Sequence, residues 1–350
     1  MQRRLEAKSY SAKRANALVI RLQQQLVARM EAISQAAGTN SAFEPVEWFR
    51  NEGRHGGGMR YVANDAAVFN RGSVNVSQVQ YDDDPAKPLA SATALSSIIH
   101  PQNPLAPSMH LHVSWTEMKS GEGYWRIMAD LNPAIEDPIA TARFKQILHD
   151  AAPHQLDEAC AQGDRYFFIP ALQRHRGVCH FYLENYATDD AEADFVLAER
   201  VISKVIDGYA DILEAAINNN PVPKEADYRK QLEYHTLYFL QVLTLDRGTT
   251  SGLLIHDQND IGILGSLPAR IDKALLASWR NKLPSPQNTL LDRLLKFTPE
   301  PEGELGASKI DSFVKESLAI ELREHYRNHP AAIDLQATAN VVPPTVANHS

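Results

Sequence analysis

Cysteine is almost absent from this chain of 350 residues, as are long apolar runs and any surplus of basic charge. Only Cys160 and Cys179 occur. Two thiols cannot build a disulfide framework, so the fold must rest on burial, which suits a reducing compartment. No run of about eighteen apolar residues is present, so no transmembrane helix is expected. The formal charge of −8 argues against a general nucleic-acid binder, which needs a basic face. It leaves room for an anionic small molecule held by a few local arginines. No Rossmann fingerprint or Walker-type loop occurs, and "GRHGGGM" is not followed by a clear helix, so a tight backbone crossing explains its glycines better than a phosphate cradle. Residues 1–35 lack a signal-peptide core and a small-residue cleavage site, while Glu6 and Glu31 are unusual in a transit peptide. A cytoplasmic location is expected.

What is present is an ordinary globular composition, with 44% hydrophobic residues, enough for a sizeable core. Val19, Ile20, Leu22, Leu26, Val27 and Met30 recur at helical spacing and predict an amphipathic helix against the body. From about residue 47 the texture turns to strands: "MRYV", "AAVFN" and "VNVSQVQY", then 97–100 and 110–115 around "PQNPLAP", then "GYWRIMADLN". "DPIATARFKQILHDAA" and "QLDEACAQGDRYFF" predict helices, "GVCHFYLEN" a strand, and 194–220 a long helix with clear 3.6-residue periodicity that ends in asparagines. "YRKQLEYHTLYFLQVLTL" is apolar and reads as helix passing into strand. "SGLLIHD" and "IGILGSLP" read as strands. An amphipathic helix over 308–328 precedes a tail, 331–350, expected to be disordered. The whole predicts an α+β fold with an antiparallel sheet covered by helices, organised as an N-terminal helical segment (1–46), a main domain (47–300) and a C-terminal helix and tail (301–350).

The stretch "SSIIHPQNPLAPSMHLHVSW" holds three histidines. On a strand, His110, His112 and Ser114 share one face and Leu111, Val113 and Trp115 the other. A hairpin through "PQNPLAP" would return His100 alongside, and three imidazoles could then converge as a proton-transfer or metal-binding face. The competing reading has His100 bonded within the turn and His112 solvated. Asn75 and Ser77 share a strand face and can contact a ligand or bond within the sheet. Cys179 and His180 point to opposite faces and cannot easily serve one ion.

Taken in order, "EWFRNEGRHGGGMR", "VFNRGSVNVSQV", "IIHPQNPLAPSMHLHV", "ADLNP" and "LDRGTTSG" resemble the oxygen-dependent coproporphyrinogen III oxidases over about 47–268. The resemblance implies a large flat antiparallel sheet with helices on both faces, a homodimer, and oxidative decarboxylation of propionates to vinyl groups by dioxygen with no cofactor. It implies catalytic roles for His110 and Asp130 and a substrate contact at Ser96. Arg247 can pair with a substrate carboxylate or with Asp246.

The chain also departs from that pattern. His112 and Ser114 stand where the family has Asn and Arg. "RIMA" (126–129) replaces a glycine run, and Lys145 and Ala171 fall where the family has histidines, with His175 one turn on from Ala171. Residues 256–260 replace a Gly-Gly-Arg segment. These departures imply altered substrate contacts at His112, Ser114 and Asn75, and a substrate changed from coproporphyrinogen III, for example to a single-ring carboxylic acid. Two rival expectations follow: an oxygenase with iron, copper or manganese on His100, His110 and His112, and a non-catalytic tetrapyrrole or metabolite binder.

Overall fold

The computed structural model describes residues 3–39, 43–64, 66–219, 222–256 and 258–349; Asn220, Asp257 and Ser350, which fall in segments read above, lie outside these. Seven strands form one sheet in chain order, each antiparallel to its neighbours: β1 (Glu44–Phe49), β2 (Gly56–Asn64), β3 (Phe69–Gln80), β4 (Leu89–Pro101), β5 (Ser108–Met118), β6 (Gly123–Asn132) and β7 (Val178–Tyr186). The strands are longer than the short apolar runs suggest, because alternation continues through polar positions. In β5 and β6, Leu111, Val113, Ile127, Ala129 and Leu131 are buried on one face, while His110, His112, Arg126 and Met128 occupy the other, as the period of two requires. The glycine run in β2 is a close crossing: a Cβ at Gly57 or Gly58 would strike the carbonyl of Trp48 or Val76 on the flanking strands.

Helices cover both faces. α1 (Tyr10–Ala36), α2 (Pro138–Ala151) and α4 (Ala191–Asn219) bury the apolar face of the sheet, and α3 (Leu156–Phe167) lies along β7. α1 starts at Ser9, whose hydroxyl accepts from the Ala12 amide, a usual N-cap. Leu18, Val19, Leu22, Leu26, Val27 and Met30 are buried in the core; Ile20, counted with them by spacing, faces outward at 37% exposure.

The other face carries a second apolar cluster contributed by α5 (Glu225–Thr244), α6 (Arg247–Ile255), α8 (Lys273–Ser278), α9 (Gln287–Phe297) and α10 (Ser312–Asn328), with α7 (Asp260–Ile263) and α11 (Thr345–Asn348) as single turns. α5 is helical throughout, and the segments around Leu253 and Ile263, expected as strands, are helices α6 and α7. The reason is burial. Residues 234–244 of α5 are buried on every side, and a helix enclosed all round shows no apolar stripe to distinguish it from a strand. No described helix is long and apolar enough to cross a membrane.

The tail also differs from expectation. Gln336 donates to Thr250 Oγ1 and to Tyr326 Oη at 2.5 and 2.9 Å, the Ala337 amide donates to the Leu245 carbonyl, and the chain continues along the helical layer to α11.

Candidate active site

A cavity of about 310 Å3 lies on the polar face of the sheet, roofed by α3, α5, α6 and the C-terminal segment. Its floor follows from strand register. One row across the sheet runs Ser73, Ile98, His110, Asp130; the next runs Asn75, Ser96, His112, Met128, Tyr182; a third runs Ser77, Ala94, Ser114, Arg126. Ser96, Asn75, His110, His112 and Ser114 all line this space. Asn75 accepts from the Trp48 indole at 3.2 Å.

At the first row a charged network forms. Asp130 is fully buried; its Oδ1 lies 2.9 Å from His110 Nδ1, and its Oδ2 accepts from Arg176 Nη2 at 3.0 Å and from Asn132 Nδ2 at 2.6 Å. Burial pushes the Asp130 carboxyl up, but Arg176 and His110 outweigh it and hold the group below its ordinary range. A carboxylate only accepts, so His110 Nδ1 carries the hydrogen and Nε2 keeps a lone pair. His110 and Arg176 line the cavity; Asp130 does not. The aspartate, expected to meet substrate itself, therefore acts through its two partners. Arg176 is stacked between Phe167 and Tyr238, with its Cζ 4.6 and 4.9 Å from the ring centres. Its Nε and Nη1 are buried without an acceptor, an arrangement that costs stability unless an anion answers it.

The third row is built differently. Arg126 lines the cavity, and its Nε donates to Glu184 Oε1 at 2.9 Å. Burial opposes the Arg126 charge and Glu184 outweighs it, holding the guanidinium above its usual value. Between the rows, His112 Nε2 lies 3.1 Å from Ser114 Oγ. Burial, then the nearby Arg126, pushes the His112 ring well below its ordinary pKa, so it is neutral.

Two other expectations change. His100 shares the face of His110, but it sits beneath α5 against Tyr234, His235 and Tyr238, fully buried with Nδ1 2.9 Å from Ser108 Oγ, and it does not line the cavity. Its place opposite Ser108, beyond the His110 row, separates it from His112, and the three imidazoles do not form one ligand set. Among the described residues, the group whose donor atoms lie close enough for one ion is instead Asp164, His175 and His180, within 4.8 Å of one another. Arg247, expected to hold a carboxylate, is the first residue of α6 and points to the C-terminal segment, where Nη2 donates to the Ile333 carbonyl at 2.8 Å; it does not line the cavity. Asp246, its proposed ion-pair partner, accepts from Tyr166 Oη at 2.6 Å and from the Thr249 amide.

The family model described as coproporphyrinogen III oxidase matches residues 14–300. The chain belongs to the coproporphyrinogen III oxidase family. The match takes in α1, upstream of the motifs, and ends before α10. The mitochondrial oxygen-dependent coproporphyrinogen-III oxidase of Rattus norvegicus is 26% identical over 301 residues, 77% of this chain and 64% of that protein. The oxygen-dependent coproporphyrinogen-III oxidase of Prochlorococcus marinus is 25% identical over 354 residues, 88% of this chain and 96% of that protein. That of a Synechococcus species is 27% identical over 343 residues, 87% and 90% of the two chains. The chain thus spans less than two thirds of the length of the rat protein.

Several cavity residues were not identified from sequence. Arg176 lies in "RHRG", and only the folded chain brings it to Asp130. Thr345, Asn348 and His349 close one end of the cavity. His349 Nδ1 lies 2.9 Å from Tyr81 Oη, and its carbonyl accepts from Lys87 Nζ at 2.7 Å. No periodicity marks that segment.

Proposed function

We propose that this chain is an oxygen-dependent oxidase that decarboxylates a propionate side chain on an electron-rich heteroaromatic ring smaller than a tetrapyrrole. The balanced step is R–CH2–CH2–COOH + O2 → R–CH=CH2 + CO2 + H2O2. Two hydrogens leave the substrate, the carboxyl carbon departs as carbon dioxide, and dioxygen takes up both electrons and protons. The observation that carries the reading is the His110–Asp130–Arg176 network on the cavity wall. His110 Nε2, its tautomer held by Asp130, takes the proton from the ring N–H as electron density leaves the ring. Arg176, with two donors lacking protein acceptors, orients the departing carboxylate. The chemistry calls on dioxygen and the substrate's own electrons, and none of these steps is assigned to a metal.

The smaller substrate is supported by the floor. Arg126 and Met128 project from β6 into the cavity at positions where the motif resemblance has glycines. The volume of about 310 Å3 is at the low end of the ~300–1,000 Å3 usual for small-molecule sites. A homodimer, dioxygen and a small carboxylate are the partners this reading implies.

The test is to mix purified protein anaerobically with a pyrrole bearing a propionate, admit air, and follow oxygen uptake, carbon dioxide and product mass. One carbon dioxide and one vinyl group per dioxygen is the expected result. Ligand binding with no oxygen uptake would make the chain a non-catalytic metabolite binder and overturn the proposal.

A further inference from the structure

The reaction assigned above gives no role to Arg126, yet its guanidinium is the more unusual of the two in the cavity. Its Nε is taken by Glu184, and the other two nitrogens have no acceptor among the described residues. Glu184 is almost sealed, with its side chain 2% exposed, while Arg126 is 18% exposed and lines the cavity. The acid therefore stands behind the arginine and fixes its plane, and the free Nη1–Nη2 edge is the end a ligand meets. The same arrangement holds at the other row, where Asp130 stands behind Arg176. Asp246, an acid that does line the cavity, has its oxygens occupied by Tyr166 Oη and the Thr249 amide. A ligand thus meets two guanidiniums whose counter-charges are hidden, with apolar Met128 on the floor between them.

Planar guanidinium edges of this kind recognise carboxylates in bidentate fashion. We infer that Arg126 forms a second carboxylate subsite, so that the substrate is a heteroaromatic diacid: one carboxyl group leaves beside His110 and Arg176, and the other is retained in the grip of Arg126. Ser114, opposite Arg126 in the register, and Tyr124, which also lines the cavity, add hydroxyl donors at that end. Positions 126 and 130 are four strand residues apart, roughly 13 Å of backbone. With the reach of two arginine side chains, that is the scale of one ring carrying two short acid arms. This inference rests on the reading proposed above and narrows its substrate class.

The probes are a pyrrole bearing two propionates and its monomethyl ester, titrated calorimetrically into the protein without oxygen. The double variant Arg126→Met/Glu184→Met removes both charges together, so no unpaired charge is left buried and the fold should persist; Arg126→Lys keeps charge but loses the fork. The wild type should bind the diacid at least about tenfold more tightly than the monoester. The double variant should bind both alike, with monoester affinity within about twofold of wild type, and Arg126→Lys should fall between. A wild type that does not distinguish diacid from monoester, or a double variant that keeps the preference or loses both ligands equally, would overturn the subsite. Because binding is read without turnover, discrimination without later oxygen uptake would uphold the subsite and overturn the oxidase reading. Oxygen uptake without discrimination would do the reverse.

Discussion

The two ends of the cavity use the same device for different purposes. At each, a buried carboxylate stands behind a guanidinium: Asp130 behind Arg176, Glu184 behind Arg126. At the first end the carboxylate also binds an imidazole, and every one of its oxygens is occupied. That end can move a proton. At the second end the carboxylate binds only the arginine, and the neighbouring His112 is held neutral by burial. That end can grip but has no group poised to exchange protons near neutrality. The first end is built on positions that match the family motifs; the second on positions that depart from them. The difference separates chemistry from recognition within one floor of three strand rows.

The comparison is broken most severely by His110→Ala, which should lower kcat by about 100- to 10,000-fold while leaving diacid binding nearly intact, as single-turnover and titration measurements would report. Asp130→Asn should cost on the order of 100-fold in kcat, because the amide can donate and no longer fixes the His110 tautomer. Its pH–rate profile should change shape, which a merely structural role would not cause. Asp130→Ala is expected to destabilise the fold by about 3–5 kcal/mol, since Arg176 is then buried without its counter-charge; chemical denaturation checks this.

A smaller effect is expected at the C-terminal end. Ending the chain after Val342 removes Thr345, Asn348 and His349 from the wall and should raise kcat/KM for bulkier ring substrates by about 3- to 10-fold. Acid should loosen the same segment. Burial, with Arg50 adding to it, pushes both His256 and His349 down to about 3. Below about pH 6.5 the opened state takes up protons that the packed state refuses. Seating of the segment should therefore weaken progressively between about pH 6.5 and 3 and not change further below that. Hydrogen exchange at residues 345–349 reads it directly. The smallest effect belongs to Arg247→Gln: less than about threefold in kcat/KM, with about 1–2 kcal/mol lost from stability as the Ile333 contact goes.

Much of this architecture was legible in the sequence, for a physical reason. The strand period of two assigns His110, His112 and Ser114 to one face whatever the rest of the chain does, and the turn between β4 and β5 fixes their neighbours. Ser96 and Asn75 follow from the same alternation. Helices α5 and α6 were harder, because a segment buried on all sides has no polar stripe to report its period. His100 shows the limit of face assignment: the correct face of a strand can still be sealed by a helix, here α5, that arrives more than a hundred residues later. Arg176, Glu184 and His349 reach the cavity through tertiary proximity alone. The inaccessibility of Asp130 depends on three side chains crowding its two oxygens, which no spacing rule encodes.

The central claim is that the proton-moving end has been kept while the gripping end has been rebuilt for a smaller diacid. The most direct measurement is kcat/KM for coproporphyrinogen III and for a pyrrole dipropionate, taken side by side under air with carbon dioxide counted per molecule. The account predicts that the single-ring diacid is turned over at least about tenfold more efficiently, with one arm lost and the other retained. Faster turnover of coproporphyrinogen III, with two carboxyl groups released from each molecule, would contradict it.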